Sequence, residues 1–274
     1  MRAGEIVMRQ GALFAVQAVR ADGQCELHGL GTRLWAVSRQ EQLAPADGAR
    51  VCEEARRFRQ TLEARVAGIL ASRPAPPRHA FLMPGKVLHI DADEDYLRIC
   101  AQTYARLAVP NACVAVPESA QPKEIDALLH RHLPDILVLT GHDALMDKSA
   151  PDDLAQYKST AHFAEAVRRA RRFQSSRDGL AIIAGACQSH FEHLLEAGAN
   201  VASAPDRVRI HALDALLVAE KMAYTPIDTI LAAEELIAVT ITGARGLGGC
   251  QTRGALRLGA PRPRNVPPEK SLEN

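Results

Sequence analysis

Two residues of types that serve nucleophilic catalysis follow apolar runs in the second half of the chain. Cys187 lies at the end of the run 180–186, where small residues make a turn before a helical pattern begins. At a helix N-terminus, unpaired amides and the positive end of the dipole would favour the thiolate, which is the nucleophilic form. His142 ends the apolar run 135–141. The two residues are therefore predicted to be a nucleophile and its general base.

Alternating strand and helix patterns after residue 86 indicate how these two side chains are positioned. Five apolar strands are expected, with helices between them, and they begin near residues 86, 113, 136, 180 and 200. Such strands are typical of a parallel sheet covered on both faces, so the predicted fold class is α/β, with a parallel sheet flanked by helices. Ligands bind such sheets at the carboxyl ends of the strands, where His142 and Cys187 both fall.

Four segments of different composition divide the chain. Residues 1–52 contain four short strand patterns separated by Gly and Asp-Gly turns, which predict a small SH3-like β-barrel. Residues 53–85 combine a charged amphipathic helix with a Pro-rich linker, so the domain boundary is expected there. Residues 86–260 form the predicted α/β domain. Residues 261–274 are Pro-rich and polar, and they are expected to be disordered. The barrel could bind a partner or serve only as a structural appendage.

Composition argues against several classes of function. A net charge of +1 gives no overall attraction to nucleic acid or acidic membranes, and an aromatic content of 4% argues against stacking platforms for bases. The N-terminus lacks the apolar core of a signal peptide, and no apolar stretch could span a membrane, so a soluble intracellular protein is expected. The six cysteines are irregularly spaced and include no Cys-x-x-Cys pair, which argues against a disulfide framework or a zinc ribbon.

Three further polar segments have a structural and a functional interpretation. The acidic cluster 91–95 follows the first strand of the α/β region and is expected to cap the next helix. His190 and His193 would share a helix face, but no third ligand is evident, so no metal site is predicted. His190 lies one turn after Cys187 and could still border the site. The segment 246–254 lacks the Gly-Lys-Ser/Thr of a P-loop and is expected to be a backbone-rich loop.

The order of the two candidate residues can be compared with two families. Class I glutamine amidotransferases also place a cysteine on a sharp turn between an apolar strand and a helix. They need a His-x-Glu pair downstream, and the nearest candidate here, residues 210–214, has the wrong spacing. In caspase-like peptidases the histidine closes one apolar strand and the cysteine closes the next, as in segments 140–143 and 185–188. Their histidine is followed by Gly, whereas here Gly precedes His142.

A more specific resemblance is carried by the ordered segments 86–97, 134–144, 185–192, 197–205, 209–214 and 246–254. On these segments the chain resembles the YabG family of sporulation-specific peptidases over most of its length. This resemblance implies a flavodoxin- or caspase-like α/β fold and a cysteine endopeptidase that needs no cofactor. The implied substrates are spore coat proteins and their precursors, cleaved after Arg. The implied location is the mother-cell cytoplasm, in association with the spore coat.

The matching motifs also imply roles for individual residues. Cys187 is the implied nucleophile and His142 the implied base, while Ala186 and His190 would border the site. The oxyanion would be bound by backbone amides, most naturally those of Cys187 and of the turn formed by Gly141 and His142.

Several alternatives remain open at this point. An Arg preference requires a carboxylate in the specificity pocket, and both Asp143 and Asp214 are candidates. The Arg-rich segments 168–172 and 73–78 could be sites of self-cleavage. The rival functions are amide transfer or related chemistry on a small molecule by the same cysteine turn, and a non-catalytic scaffold of the spore coat that docks through the barrel.

Overall fold

The N-terminal part of the structure, a computed structural model that describes residues 1–261 apart from 74, 76 and 78, is an antiparallel sheet. Its five strands pair in the spatial order β4-β3-β2-β1-β5. Along the chain they are β1 (Ile6–Arg9), β2 (Ala12–Val19), β3 (Gln24–Gly29), β4 (Trp35–Arg39) and β5 (Ala44–Pro45). Cys25 and Leu27 alternate with less buried neighbours on β3, so one face of the sheet packs inward. The expected strands are confirmed, whereas the SH3-like barrel stays a prediction.

A single long helix, α1 (Gly48–Ser72), leads from the antiparallel sheet toward the rest of the chain. It begins five residues before the expected position of 53, because Asp47 caps it by accepting a hydrogen bond from Ala49 N at 3.1 Å. Leu62 and Val66 form its buried stripe. Neither α1 nor any other helix in the described part of the chain is long and apolar enough to cross a membrane.

The remaining elements build the α/β part of the molecule. In chain order they are β6 (Phe81–Met83), β7 (Val87–Asp91), α2 (Glu94–Arg106), β8 (Asn111–Ala115), α3 (Gln121–His132), β9 (Ile136–Leu139), α4 (Thr160–Phe173), β10 (Ala181–Ala184), α5 (Phe191–Ala197), β11 (Val201–Ser203), α6 (Asp214–Tyr224), β12 (Ile230–Leu231), α7 (Ala233–Ala238), β13 (Leu247–Gly249), β14 (Thr252–Arg253) and β15 (Arg257–Gly259). Two small antiparallel pairs, β6 with β15 and β12 with β14, lie outside the main sheet.

Six of these strands form a central, mostly parallel sheet in the order β13-β11-β10-β9-β7-β8. Strands β7, β9 and β10 are buried along their whole lengths, because helices cover both faces. On β9, Ile136 and Val138 pack into the core that contains α2 and α6, whereas Leu137 and Leu139 pack into the core that contains α3, α4 and α5. The parallel sheet expected from the sequence is therefore confirmed, with β9 and β10 as neighbours.

The Gly-rich segment that was expected to be a loop contributes an edge strand instead. Residues Leu247–Gly249 form β13, which runs antiparallel to β11, with Gly249 opposite Val201. A Cβ on Gly249 would lie 2.2 Å from the carbonyl oxygen of Asn200, so only Gly allows this close approach of two backbones. The expectation of a loop was wrong because Gly weakens the strand pattern in the sequence even where tertiary pairing requires it.

The close approach at Gly249 leads to a test of the edge strand. We expect Gly249→Ala to lower the free energy of unfolding by about 1–3 kcal/mol, because one backbone must move to accommodate the methyl group. Gly68→Ala is the matched control. Gly68 is exposed in α1, and no atom lies within 4 Å of the position that an added Cβ would take, so this change should be neutral or stabilising. Urea unfolding of both variants checks the prediction, and equal stabilities would contradict it.

Candidate active site

Cys187 lies in the turn that follows β10, and its side chain is fully buried. The next helix, α5, begins at Phe191 rather than at the cysteine, and His190 is its N-cap. The expectation that the sulfur sits at a helix N-terminus was therefore wrong. The thiol is instead held by the segment before α6, where Ile210 N donates a hydrogen bond to Sγ at 3.1 Å.

The protonation of Cys187 also differs from the expectation. Burial raises the pKa of the thiol to about 12, and this effect outweighs the Ile210 hydrogen bond and the nearby charges of Arg33 and Arg209. In this conformation the sulfur is a neutral thiol near pH 7. Attack by the sulfur therefore requires a base that takes its proton or a change in its surroundings.

His142 lies three residues after the end of β9 and is buried under a second histidine. Its ring stacks on that of His28 from β3, with centroids 3.7 Å apart and planes at 15°. Burial lowers the pKa of His142 well below its usual value, with further lowering from Arg33 and His28, so the ring is neutral. Its Nδ1 atom is buried and has no hydrogen-bond partner within the described residues. An unpaired buried nitrogen of this kind is rare and calls for an explanation.

The structure brings the segments of Cys187 and His142 together at one edge of the sheet. Strands β9 and β10 are parallel neighbours, with Leu139 opposite Ala184, so both chains leave the sheet on the same side. One carbonyl oxygen, that of Arg33, accepts hydrogen bonds from Cys187 N at 3.2 Å and from Asp143 N at 3.3 Å. The cysteine and the residue after the histidine thus hold the same peptide group.

The backbone around the predicted oxyanion site is already engaged. His142 N donates to Glu118 Oε1 at 2.7 Å, and the carbonyl of Gly141 accepts from Arg33 Nε at 3.1 Å. A Cβ on Gly141 would lie 2.4 Å from Glu118 Oε1, so a larger residue at this position would displace this carboxylate. Cys187 N and Asp143 N are therefore the two amides directed at a common acceptor, rather than Cys187 N and the amide of His142.

The carboxylate of Asp143 binds the loops of the site to one another. Its oxygens accept from Ser159 N at 2.7 Å, from Ser189 Oγ at 2.8 Å, and from Ala144 N and Thr160 Oγ1. Burial raises the pKa of Asp143 to about 6, and these hydrogen bonds oppose that rise. Because Ser159 and Thr160 begin α4 and Ser189 follows the cysteine, Asp143 joins the exits of both strands. This arrangement favours a structural role over recognition of a substrate.

The remaining residues predicted to border the site have local partners. Asp214, the first residue of α6, accepts from the backbone amides of residues 241 and 242 at 2.6 and 3.3 Å. Ala186 N donates to Ser189 Oγ at 2.9 Å, which shapes the turn before the cysteine. His190 accepts from His193 N through Nδ1 and thereby caps α5. No group of three or more potential ligands that could hold a metal ion occurs within residues 1–261, gaps excepted.

Two residues that sequence analysis did not assign to the site are central to it. Asp91, at the end of β7, is fully buried and accepts from Thr140 Oγ1 at 2.6 Å, and it forms an ion pair with Arg33. These two residues are Asp91 and Arg33. The position of Asp91 at a carboxyl strand end was a usable signal for a site residue. Arg33 offered no such signal, because it comes from the hairpin of the other sheet.

The acidic cluster 91–95 also has the capping role expected from the sequence. Asp93 caps α2 by accepting a hydrogen bond from Tyr96 N at 3.0 Å.

The fold and the site define the class of molecule, an α/β protein with a buried cysteine and histidine that follow the carboxyl ends of adjacent strands. Residues 2–261 match the family model described as YabG peptidase U57, and the chain belongs to this family. The resemblance seen in the sequence is thereby confirmed.

One curated relative is the sporulation-specific protease YabG of Bacillus subtilis (strain 168). It is 47% identical over 184 residues, which cover 67% of this chain and 63% of the relative. The chain is thus matched to less than two thirds of that protein's length. No solved structure matches the chain.

The stacked histidines lead to a prediction about pH. Burial, followed by the charge of Arg33, lowers the pKa of His28 from 6.5 to about 4. As pH falls from about 7.5 to about 5, the unfolded chain binds a proton at His28 that the folded chain does not bind, so stability falls. His28→Phe keeps a stacking ring and removes this titration.

We expect wild type to lose roughly 1–2 kcal/mol more unfolding free energy than His28→Phe over this pH range. Urea unfolding at both pH values measures the difference. The same loss in both proteins would show that His28 does not carry this dependence.

Proposed function

We propose that the protein is a cysteine endopeptidase that cleaves spore coat proteins and their precursors after arginine. The observation that carries the proposal is the carbonyl bound by two amides, one from Cys187 and one from the residue after His142. A peptidase must hold the carbonyl that it attacks in this way, because negative charge develops on that oxygen in the transition state. The family description, a peptidase, supports the same reaction class.

The proposed reaction starts from a neutral thiol and a neutral imidazole. Cys187 Sγ attacks the carbonyl carbon of the scissile bond while His142 accepts the thiol proton. The resulting oxyanion is bound by Cys187 N and Asp143 N. His142 then gives its proton to the leaving amine, and a thioester remains on Cys187. Water, deprotonated by His142, hydrolyses the thioester and restores the enzyme.

The Nδ1 atom of His142, which has no hydrogen-bond partner among the described residues, supports its role as the base. A buried polar atom without a partner costs about 1–3 kcal/mol, so its retention is explained by a function more readily than by packing. Stacking on His28 and the hydrogen bond from His142 N to Glu118 fix the position of the ring and its backbone.

The wider assignment extends what the relative's name says to this chain. The relative's name, a sporulation-specific protease, supports action during sporulation. We further propose that the substrates are coat proteins and that the protein acts in the mother-cell cytoplasm, in association with the spore coat. The proposed domains are residues 1–52, 53–85 and 86–260, with a tail at 261–274. Residues 262–274 lie outside the described part of the chain.

Self-processing is proposed as a further property, and the two Arg-rich segments differ as sites for it. Residues 168–172 belong to α4, so the helix must open locally before a peptidase can bind them extended. In the linker, Arg73 pairs with Glu220 at 2.6 Å and stacks on Tyr224. Arg78 lies outside the described residues.

Cleavage of a basic coat-protein substrate tests the proposed function. We expect Cys187→Ala and His142→Ala to lower cleavage by at least about a hundredfold, because each removes a group that acts in the transition state. Mass spectrometry of the fragments should place Arg at the new C-termini. Cys52→Ala and His130→Ala, at exposed positions, are the matched controls and should cleave as wild type does.

Other results would replace the proposal with one of its rivals. Cleavage that survives Cys187→Ala would show that another group is the nucleophile. Glutamine hydrolysis without peptide cleavage would select the amidotransferase-like alternative. If the wild-type protein cleaves nothing but its deletion still disturbs coat assembly, the scaffold alternative is selected.

A further inference from the structure

Residues 32–34 form the hairpin tip, the part of the β3–β4 hairpin that lies against the candidate active site. An isolated backbone bridge joins Thr32 to His211, in the segment before α6, and another joins Leu34 to Asp143, in the segment after β9. Peptides that bind as added strands make such backbone pairings with the protein that receives them. The hairpin tip therefore pairs with these two segments through its backbone, as a bound peptide would.

The Arg33 side chain is buried next to this backbone. Its terminal nitrogens pair with Asp91 and, at 3.4 Å, with Asp93, while its Nε donates to the carbonyl of Gly141 at 3.1 Å. The guanidinium also lies 4.2 Å from the centroid of the Tyr96 ring. Each of the three nitrogens has an acceptor and one face has an aromatic partner, and these are the kinds of contact by which proteins recognise arginine.

The main chain of Arg33, like its side chain, makes the contacts expected of a bound peptide. Its carbonyl oxygen is the one held by Cys187 N and Asp143 N. Two residues further along the chain, Trp35 N donates a hydrogen bond to the carbonyl of Asp143 at 3.0 Å. A buried ion pair that served stability alone would need the guanidinium in contact with a carboxylate. It would not need the same residue's carbonyl to occupy the two amides of the cysteine and histidine segments.

We propose that Arg33 occupies the active site as an internal substitute for a substrate arginine, and that Asp91 is the carboxylate that recognises arginine. The inference rests on the proposed peptidase function and adds its specificity residue and its self-blocked state. A substrate arginine would bind Asp91 only after the hairpin tip withdraws. The closed fraction of molecules then raises the apparent KM, whereas kcat at saturation stays the same.

The other two carboxylates considered for this role are already used. Asp143 accepts from two amides and two hydroxyls, and Asp214 accepts from two amides of the segment before β13. Asp91 also accepts from Thr140 and from Asp93 N, but it additionally holds a guanidinium that belongs to a different sheet. It is therefore the carboxylate that meets an arginine presented from outside the α/β part of the molecule.

Two variants and two quenched peptides test the proposal. The peptides are identical except that one contains a single arginine and the other norleucine at that position. Arg33→Met is expected to lower KM for the arginine peptide at least about tenfold with kcat unchanged, because the internal competitor is removed. Arg33→Met/Asp91→Asn leaves no unpaired buried charge, which protects folding, and it is expected to lose the preference for arginine over norleucine.

The results distinguish a failure of this inference from a failure of the proposed peptidase function. An unchanged or raised KM in a folded Arg33→Met protein overturns the blocking role, and a retained arginine preference in the double variant overturns the role of Asp91. Both results would leave the peptidase assignment intact if Cys187→Ala, added to either variant, abolishes cleavage. If no variant cleaves either peptide, the peptidase function fails and this inference fails with it.

Discussion

The buried ion pair between Arg33 and Asp91 is the interaction on which the docking of the β3–β4 hairpin over the site depends. Transfer of a guanidinium into a protein interior is unfavourable unless every donor is satisfied by a well-placed acceptor. Burial alone would lower the pKa of Arg33, but Asp91 and Asp93 raise it, so the group stays charged. The pair fixes the β3–β4 hairpin against the ends of β7 and β9. The same contact places the Arg33 carbonyl on Cys187 N and brings His28 over His142.

This interaction explains why a cysteine and a histidine of suitable types are both buried and neutral. The antiparallel sheet removes water from both groups, so the pKa of Cys187 rises and the pKa of His142 falls. Both shifts arise mainly from burial and both favour neutral forms. Withdrawal of the hairpin tip would return solvent and free the two amides. The position of the N-terminal sheet therefore affects the protonation of Cys187 and His142.

Sequence patterns predicted the local part of this architecture better than the contacts between its parts. Apolar runs placed Cys187 and His142 at carboxyl strand ends, because a buried parallel strand leaves a strong local signal. The same patterns could not reveal Arg33, whose partner Asp91 is 58 residues away in the chain and in another sheet. The expected thiolate also failed, because α5 begins four residues after the cysteine and because burial depends on the docked hairpin. Strand β13 was missed because its glycines carry no strand propensity.

Alkylation of Cys187 by a peptidyl-arginine chloromethyl ketone is the most direct test of the central claim, that the cysteine site is functional and is filled by Arg33. The reagent places a guanidinium and an electrophilic carbon where Arg33 lies, and intact-protein and peptide mass spectrometry locate the modified residue. The account predicts selective labelling of Cys187, faster in Arg33→Met than in wild type and slower with the norleucine reagent. Labelling at the exposed Cys52 alone, or equal labelling of Cys187 by both reagents in both proteins, would contradict it.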